Sequence, residues 1–336
     1  PEIEKQGLST TAEVILGLPG ETYESHIKTL KDLVRANINY VRAYTLMLID
    51  GSEMNTPEQR EKWGFQTKFR ILPKDFVKLK NKKIILETEE VVIATNTLSF
   101  DEYVELRLLA FIMFVTNIGL VFDSLFRFLK EKKIDVFDLF YECLKQKKSA
   151  PNEIINVFDK FKKSTTDELW DSPEDIQNYF QSEENYQKLL NGEEGINVLQ
   201  HYQAMIIFDN MNKWTEFTLK IVESLLIKNN KFSLDIQNEF TDICNYCRGL
   251  SFDPLNRNRM IEVPEFNFNH NVKKWLESKD DLEKFKEHTV KIKFSFSEKQ
   301  FNLVEDALNL CGDTMIGKSR IFRWIQPDNI WRIPIS

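Results

Sequence analysis

The sequence is poor in cysteine, and it has no apolar run long enough to span a membrane. Its four cysteines, in a chain of 336 residues, are too few and too unevenly spaced for the disulfide framework of a secreted protein. The most apolar segment, residues 108–122, has fifteen residues and contains Asn117. A membrane-spanning helix needs about 20 apolar residues. We therefore expect a cytoplasmic protein in which this segment is a buried core helix.

Positive charge is in the minority. Lys and Arg number 45 against 52 Asp and Glu, which gives a formal net charge of −7. Because nucleic acids and anionic membranes are usually bound by a basic face, the balance argues against either as a partner. Acidic small substrates stay compatible with it, because a few local Lys or Arg residues suffice to bind them. The composition, 42% hydrophobic and 29% charged, indicates a globular chain long enough for two domains.

The most informative stretch is EVILGLPGET, residues 13–22. Its apolar first half predicts a strand of a parallel sheet buried on both faces, and Thr22 is a predicted N-cap for the helix that follows. Residues 39–49, NYVRAYTLMLI, predict a second strand, which makes a right-handed parallel crossover. A glycine at position 17 would let a ligand's ring approach the backbone. From the residues alone, a purely structural Gly-Pro-Gly turn is an equal alternative.

Further along, most of the chain has helical patterns. Residues 57–70 predict a short helix and an exit segment, the Lys-rich residues 72–83 are the predicted domain boundary, and residues 84–97 are predicted to be extended. A long helical stretch is predicted over residues 197–228, after a break at Gly192, and a half-exposed strand over residues 290–296. Helix N-caps are predicted at Ser99 (a capping box with Glu102), Thr165, Ser172 and Ser297 (with Gln300).

A second glycine motif matches the Walker A pattern of phosphate-binding loops. It is GDTMIGKS, residues 312–319, and it places Lys318 and Ser319 where a P-loop has its phosphate and magnesium ligands. A P-loop must follow a buried strand, whereas residues 301–310 have helical spacing. We therefore favour a polar loop after a helix.

The cysteines and histidines do not show a metal-ligand pattern. Cys244 and Cys247 form a C-x-x-C, but no second pair exists, so two core cysteines on a helix are the favoured interpretation. His201 has apolar and aromatic neighbours in the sequence. We expect a hydrogen-bonded interior or groove residue there rather than a catalytic base.

Three stretches together resemble the later part of a radical S-adenosylmethionine enzyme. They are TAEVILGLPGET, YVRAYTLMLIDGSEM, and a Trp-Gly pair followed by FRILPKDF. The similarity is greatest to the group that carries a cobalamin-binding domain ahead of the radical domain, and it covers roughly residues 8–78. It implies an α/β plus mostly α fold: the last strand-helix units of a partial (β/α)6 TIM-like barrel (residues 1–78), followed by a largely helical accessory domain (residues 79–336).

The resemblance also implies the site. It matches the first two stretches to the fifth and sixth barrel strands, which contact the adenosyl group of S-adenosylmethionine. Glu13 lies one alternation before Ile15 on the same strand face, and it is a weaker candidate for a polar contact with the cofactor. No catalytic residue or metal ligand is predicted in this chain. The predicted cofactor-binding residues are Glu13, Ile15, Gly17, Leu18, Pro19, Gly20, Tyr44, Leu46 and Leu48.

One defining motif of that family is absent from the sequence. The C-x-x-x-C-x-x-C loop, which binds a [4Fe-4S] cluster, is expected upstream of residue 1, as is any cobalamin domain. The chain does not begin with Met, and we expect a carboxyl-terminal fragment that is inactive alone. The full protein would cleave S-adenosylmethionine reductively, with an electron donor for the cluster. The radical would pass to a small-molecule or biosynthetic-intermediate substrate, often with cobalamin-dependent methyl transfer. The alternative is a non-catalytic helical interaction module.

Overall fold

The computed structural model describes residues 10–38, 40–252, 254, 261–312 and 314–335. Over these residues the protein is mixed α/β with 56% helix, and its strands form small separate sheets of two, two and three strands, without a barrel. The chain divides into two compact units. The first contains Pro1–Phe111 and Phe158–His201, and the second contains Ile112–Val157 and Tyr202–Ser336.

The first unit begins with a parallel strand-helix-strand motif, as predicted. Strands β1 (Thr11–Leu16) and β2 (Tyr40–Thr45) are parallel, with Ile15 opposite Tyr44, and helix α1 (Tyr23–Arg35) connects them. The N-cap at Thr22 is confirmed: its hydroxyl accepts from the Ser25 N–H at 3.1 Å. The second strand is shorter than predicted, because hydrogen bonding to β1 ends near Leu46 and a turn begins at Asp50.

The burial predicted for the first strand is wrong. Val14 and Leu16 are buried, but Glu13 and Ile15 are exposed. A strand is buried on both faces only when other elements cover both faces of its sheet. Here α1 contacts β1 and β2. The alternate residues Glu13 and Ile15 therefore lie on an open face.

An antiparallel hairpin follows helix α2 (Pro57–Trp63). Its strands are β3 (Gln66–Lys78) and β4 (Ile84–Ala94), which confirms the extended structure predicted beyond residue 83. Residues 72–78 of the predicted boundary segment belong to β3, in which Phe76, Val77 and Lys78 pair with β4 beyond a register shift that follows Ile71. The domain division at residue 78 stays a prediction. The hairpin contacts a helical layer through a buried cluster that includes Ile71, Ile84, Leu86, Ile176, Phe180 and Leu189.

The predicted core helix is α3 (Phe100–Thr116), and its capping box is confirmed by the Ser99 N–H, which donates to Glu102 at 2.8 Å. The segment 108–122 is mostly buried as expected, but the helix ends before its last six residues. Gly119 and Leu120 have positive φ angles of 69° and 49°, which a helix does not contain. Among the described residues, no helix is both long and apolar enough to cross a membrane.

Two further cap predictions concern the helices α6 (Asn152–Asp167) and α7 (Pro173–Tyr179), which α8 (Glu183–Asn191) follows. The Ser172 cap is confirmed, with its hydroxyl accepting from the Asp175 N–H at 3.0 Å. The Thr165 cap is wrong, because Thr165 lies inside α6 and donates its hydroxyl hydrogen to the Phe161 carbonyl. A buried threonine in a helix can bond to the preceding turn in this way.

The second unit is largely helical. The helical stretch predicted over residues 197–228 is confirmed, and it consists of two helices that are separated at Asn210. Its sheet contains β5 (Glu265–His270), β6 (Lys286–Ser295) and β7 (Ile333–Ile335) in that order, which confirms the late strand. The Ser297 capping box is also confirmed. The remaining helices of this part of the chain are α4 (Asp123–Glu131), α5 (Val136–Lys145), α9 (Val198–Asp209), α10 (Met211–Lys228), α11 (Leu234–Leu250), α12 (Val272–Leu276), α13 (Glu298–Cys311) and α14 (Met315–Arg320).

Candidate functional site

The turn after β1 has a conformation that its glycines and proline explain. Gly17 and Gly20 have φ angles of 93° and 75°, a region that residues with a Cβ rarely adopt. The Glu21 N–H donates to the Leu18 carbonyl at 3.0 Å, which closes a four-residue turn. Pro19 stands second in that turn and Gly20 third, the positions where a type II turn favours these residues. Leu18, Pro19 and Gly20 therefore shape the turn, as the sequence predicts.

The carboxylate of Glu21 connects this turn to helix α1. The Gly17 N–H donates to one oxygen of Glu21 at 2.7 Å, and Nδ1 of the fully buried His26 lies 2.8 Å from the other oxygen. The Thr97 hydroxyl donates to the Glu21 carbonyl at 2.7 Å. Sequence analysis did not single out Glu21 and His26. Their five-residue separation across a helix N-cap was the available signal, and it is too common to identify a pair.

Three of the predicted residues meet on the open face of β1 and β2. Ile15 and Tyr44 are opposite each other in register and are 40% and 45% exposed. The Tyr44 hydroxyl donates to a carboxylate oxygen of Glu13 at 3.4 Å. Leu18 and Met47, close to the ends of the two strands, are also exposed apolar residues. We call Glu13, Ile15 and Tyr44 the open strand face. It lies towards the carboxyl end of parallel strands, where α/β proteins commonly bind ligands.

Leu46 and Leu48 lie apart from the open strand face. Both are buried in a cluster with Val92 of β4, and Met54 and Phe65 pack against that cluster. A Cβ at Gly17 would come 3.6 Å from Val92 and 3.8 Å from Leu46, which is ordinary van der Waals contact. Gly17 is therefore required by its φ angle rather than by a close approach of neighbouring atoms. The roles predicted for Gly17, Leu46 and Leu48 against a cofactor stay predictions.

The Walker-like motif follows a helix, as predicted. Helix α13 ends at Cys311, and the Thr314 hydroxyl then accepts from the Gly317 N–H at 3.2 Å to cap the short α14. The ammonium group of Lys318 lies 3.8 Å from a carboxylate oxygen of Asp209. Asp313 of the motif lies outside the described residues. This segment therefore lacks the strand that must precede a P-loop.

The C-x-x-C lies within helix α11, as predicted, and both thiols are buried. Burial raises the pKa of Cys247 to about 12 and also raises the pKa of Cys244. His201 lies in α9, and burial lowers its pKa. In the part of the chain that the structure describes, no three His, Cys, Asp or Glu residues are grouped to hold a metal ion.

Comparison with known proteins adds no relative: no protein-family model matches the chain, and no curated protein matches it. The open strand face is the candidate site, because its exposed side chains lie towards the carboxyl end of parallel strands. Beside it lies the turn at the end of β1, where Glu21 accepts from the Gly17 N–H and lies 2.8 Å from His26 Nδ1.

Proposed function

We propose that the open strand face binds the adenosyl group of S-adenosylmethionine, and that the chain is part of a radical S-adenosylmethionine enzyme. The single observation that carries the proposal is the exposure of Ile15 and Tyr44 as register partners on parallel strands. In the proposal, β1, α1 and β2 are the last strand-helix units of a partial (β/α)6 barrel. The residues 13–22, whose pattern resembles that family, form the turn at its carboxyl end.

The side chains fit an adenosine group. A purine has two apolar faces, and an aromatic ring beside a branched aliphatic side chain provides a surface on which such a face can stack. The carboxylate of Glu13, fixed by the Tyr44 hydroxyl, is an acceptor for an amino or hydroxyl hydrogen at the edge of the ligand. Covering about 100 Å² of apolar surface contributes about 2.5 kcal/mol, which alone gives only weak binding.

The chain's own residues fix how that face is presented. Because the Gly17 N–H already donates to Glu21, it is not free for the cofactor, and contacts run through the side chains of the open strand face. Glu21 and His26 hold the turn at the end of β1. We infer that they are positioning residues, which keep Leu18 at the rim of the adenosyl site.

The other cofactors of the family are not held by these residues. Cys143, Cys244 and Cys247 are buried in helices, so the described cysteines do not fit the ligand set of a [4Fe-4S] cluster. In the proposal the cluster, which supplies the electron for cleavage of S-adenosylmethionine, and any cobalamin are bound by upstream sequence. The role of this chain is to orient the adenosyl group and to exclude water from it.

Isoleucine methyl NMR tests this proposal. The chain, labelled with ¹³C at the isoleucine δ methyl groups, is titrated with 5′-deoxyadenosine to millimolar concentration. We expect the Ile15 signal to shift and the signal of the likewise exposed Ile227 to stay in place. Tyr44→Ala should remove the Ile15 shift, and uridine should produce much less of it. An unmoved Ile15 signal, or equal shifts at Ile15 and Ile227, would contradict the proposal.

A further inference from the structure

Strand β4 has one edge that is only partly covered. Its other edge pairs with β3. At one end of the partly covered edge, the Leu48 N–H donates to the Glu90 carbonyl at 3.0 Å, and the Val92 N–H donates to the Leu46 carbonyl at 2.9 Å. At the other end, the side-chain amide of Gln181 bonds to both backbone groups of Ile84, at 2.9 and 3.3 Å. Both ends of this edge therefore already have partners of the peptide or amide type.

In the middle of this edge, the backbone groups have no backbone partner among the described residues. In a strand, the N–H and C=O of a residue point to one edge and those of the next residue point to the other. Since Ile84, Glu90 and Val92 bond outwards from the hairpin, Leu86 and Thr88 must direct their backbone groups the same way. Within the described ranges, no residue outside the hairpin forms a backbone hydrogen bond with Leu86 or Thr88. Unpaired edge groups of this kind are a template for another strand.

A groove of about 300 Å³ lies along these two residues. It is lined by Leu86, Thr88, Pro173, Glu174, Gln177 and Asn178, so that β4 forms one side and the first turns of α7 form the other. From Ile84 to Glu90 the strand advances about 20 Å, at about 3.4 Å per residue. The groove therefore runs beside the unpaired part of the strand, where a short extended segment would lie.

We propose that the β4 groove binds an extended peptide of a partner protein, which adds to β4 as a strand and places a Lys or Arg side chain against Glu174. Main-chain hydrogen bonds to Leu86 and Thr88 would provide affinity, as in other cases of strand addition. The amide of Gln181 on Ile84 already shows the donor and acceptor pair that such a peptide would continue. Glu174 is exposed and forms no ion pair with any described residue, so it supplies the charge preference.

The probe for the test is a fluorescein-labelled octapeptide of alternating Val and Lys, added to the full chain and followed by fluorescence anisotropy. Glu174→Lys should weaken binding about five- to tenfold, because it replaces an attraction with a repulsion. Glu184→Lys is the matched control. Glu174 and Glu184 are each exposed and each the second residue of a helix, so both variants change charge and helix dipole equally. The control should change binding less than about twofold.

A second measurement tests the main-chain contacts. An octapeptide with the same side chains, but N-methylated at every residue, keeps its charge and loses its hydrogen-bond donors. It should bind more than about tenfold more weakly. The unmethylated peptide should also slow amide hydrogen exchange at Leu86 and Thr88. No binding at millimolar peptide, equal binding of both peptides, or equal effects of the two Glu variants would overturn the proposal. So would a homodimer that Glu174→Lys dissociates, because the occupant would then be a second copy.

Discussion

A few residues at the end of β1 determine the backbone conformation of the turn. Gly17 and Gly20 are required by their positive φ angles, while Glu21 connects the Gly17 amide to the buried His26. The exposure of Ile15 and Tyr44, in contrast, does not follow from local backbone conformation. The sequence indicated the turn residues, since glycine and proline preferences act locally. It did not indicate that Ile15 is exposed, because exposure depends on which elements cover the strand.

The first prediction concerns Gly17. Gly17→Ala should lower the free energy of unfolding by about 1–2 kcal/mol, because alanine is disfavoured at its φ angle of 93°. Gly51→Ala is the comparison, since Gly51 also has a positive φ, but no atom lies within 4 Å of the place that its Cβ would take. Urea unfolding should give similar losses for the two. A much larger loss for Gly17→Ala would show that contact with Val92, rather than the backbone angle, requires the glycine.

At the scale of elements, helix starts were predicted well and element lengths poorly. The caps at Thr22, Ser99, Ser172 and Ser297 are each a side chain that accepts from an N–H three residues ahead, so a short sequence encodes them. A similar sequence pattern at Thr165 lies inside helix α6 and forms no cap. Strand β3 was missed over residues 72–78, because this segment is rich in Lys and its pairing with β4 is interrupted by a register shift between Ile71 and Phe76.

The second prediction concerns the contact between α2 and β4. The guanidinium group of Arg60 donates to both carboxylate oxygens of Glu90, at 2.8 and 2.5 Å. Burial would raise the pKa of Glu90, but hydrogen bonds from Arg60 and Thr67 outweigh it, so the pKa lies below its ordinary value. The ionised form is thus the one that stabilises the fold. This contribution is complete above the unfolded-state pKa of about 4.3 and is lost as the pH falls through the lower folded-state value.

Glu90→Gln should therefore destabilise the protein by about 1 kcal/mol at neutral pH, a value that allows for solvent screening. The difference from the wild type should shrink below about pH 4. Urea unfolding at a series of pH values measures it, with Glu58→Gln at the start of α2 as the control. A difference that stays constant down to the lowest pH would show that the Glu90 charge does not contribute.

At the scale of the whole molecule, the sequence established the broad class and left the architecture open. A parallel strand-helix-strand unit and a helix-rich remainder were predicted from periodicity and are present. The three separate sheets of the described residues were not predicted, since strand partners are chosen by tertiary packing. Of the predicted cofactor-binding residues, the structure places Glu13, Ile15 and Tyr44 on one face, and their role stays a prediction. The sequence also grouped with them Leu46 and Leu48, whose burial depends on the hairpin.

The third prediction concerns the reactivity of the four cysteine thiols. Cys143, Cys244 and Cys247 are buried, whereas Cys311 is partly exposed. In the native protein at pH 8, a thiol reagent should label Cys311 first and leave the buried three unmodified until denaturant is added. Burial raises the pKa of Cys247 to about 12, so only about 1 in 10,000 of its thiols would be ionised. Rapid native labelling of Cys244 and Cys247 would indicate that the pair is accessible, and metal binding by these two thiols would then have to be tested.

The contact between the open strand face and the adenosyl group can be tested by photolabelling. The reagent is an 8-azido derivative of S-adenosylmethionine, and peptide mapping then locates where it attaches. It should attach within residues 13–18 or 40–48, and Tyr44→Ala and excess S-adenosylmethionine should each reduce the yield. Attachment elsewhere in the chain, or labelling that neither change reduces, would contradict that contact.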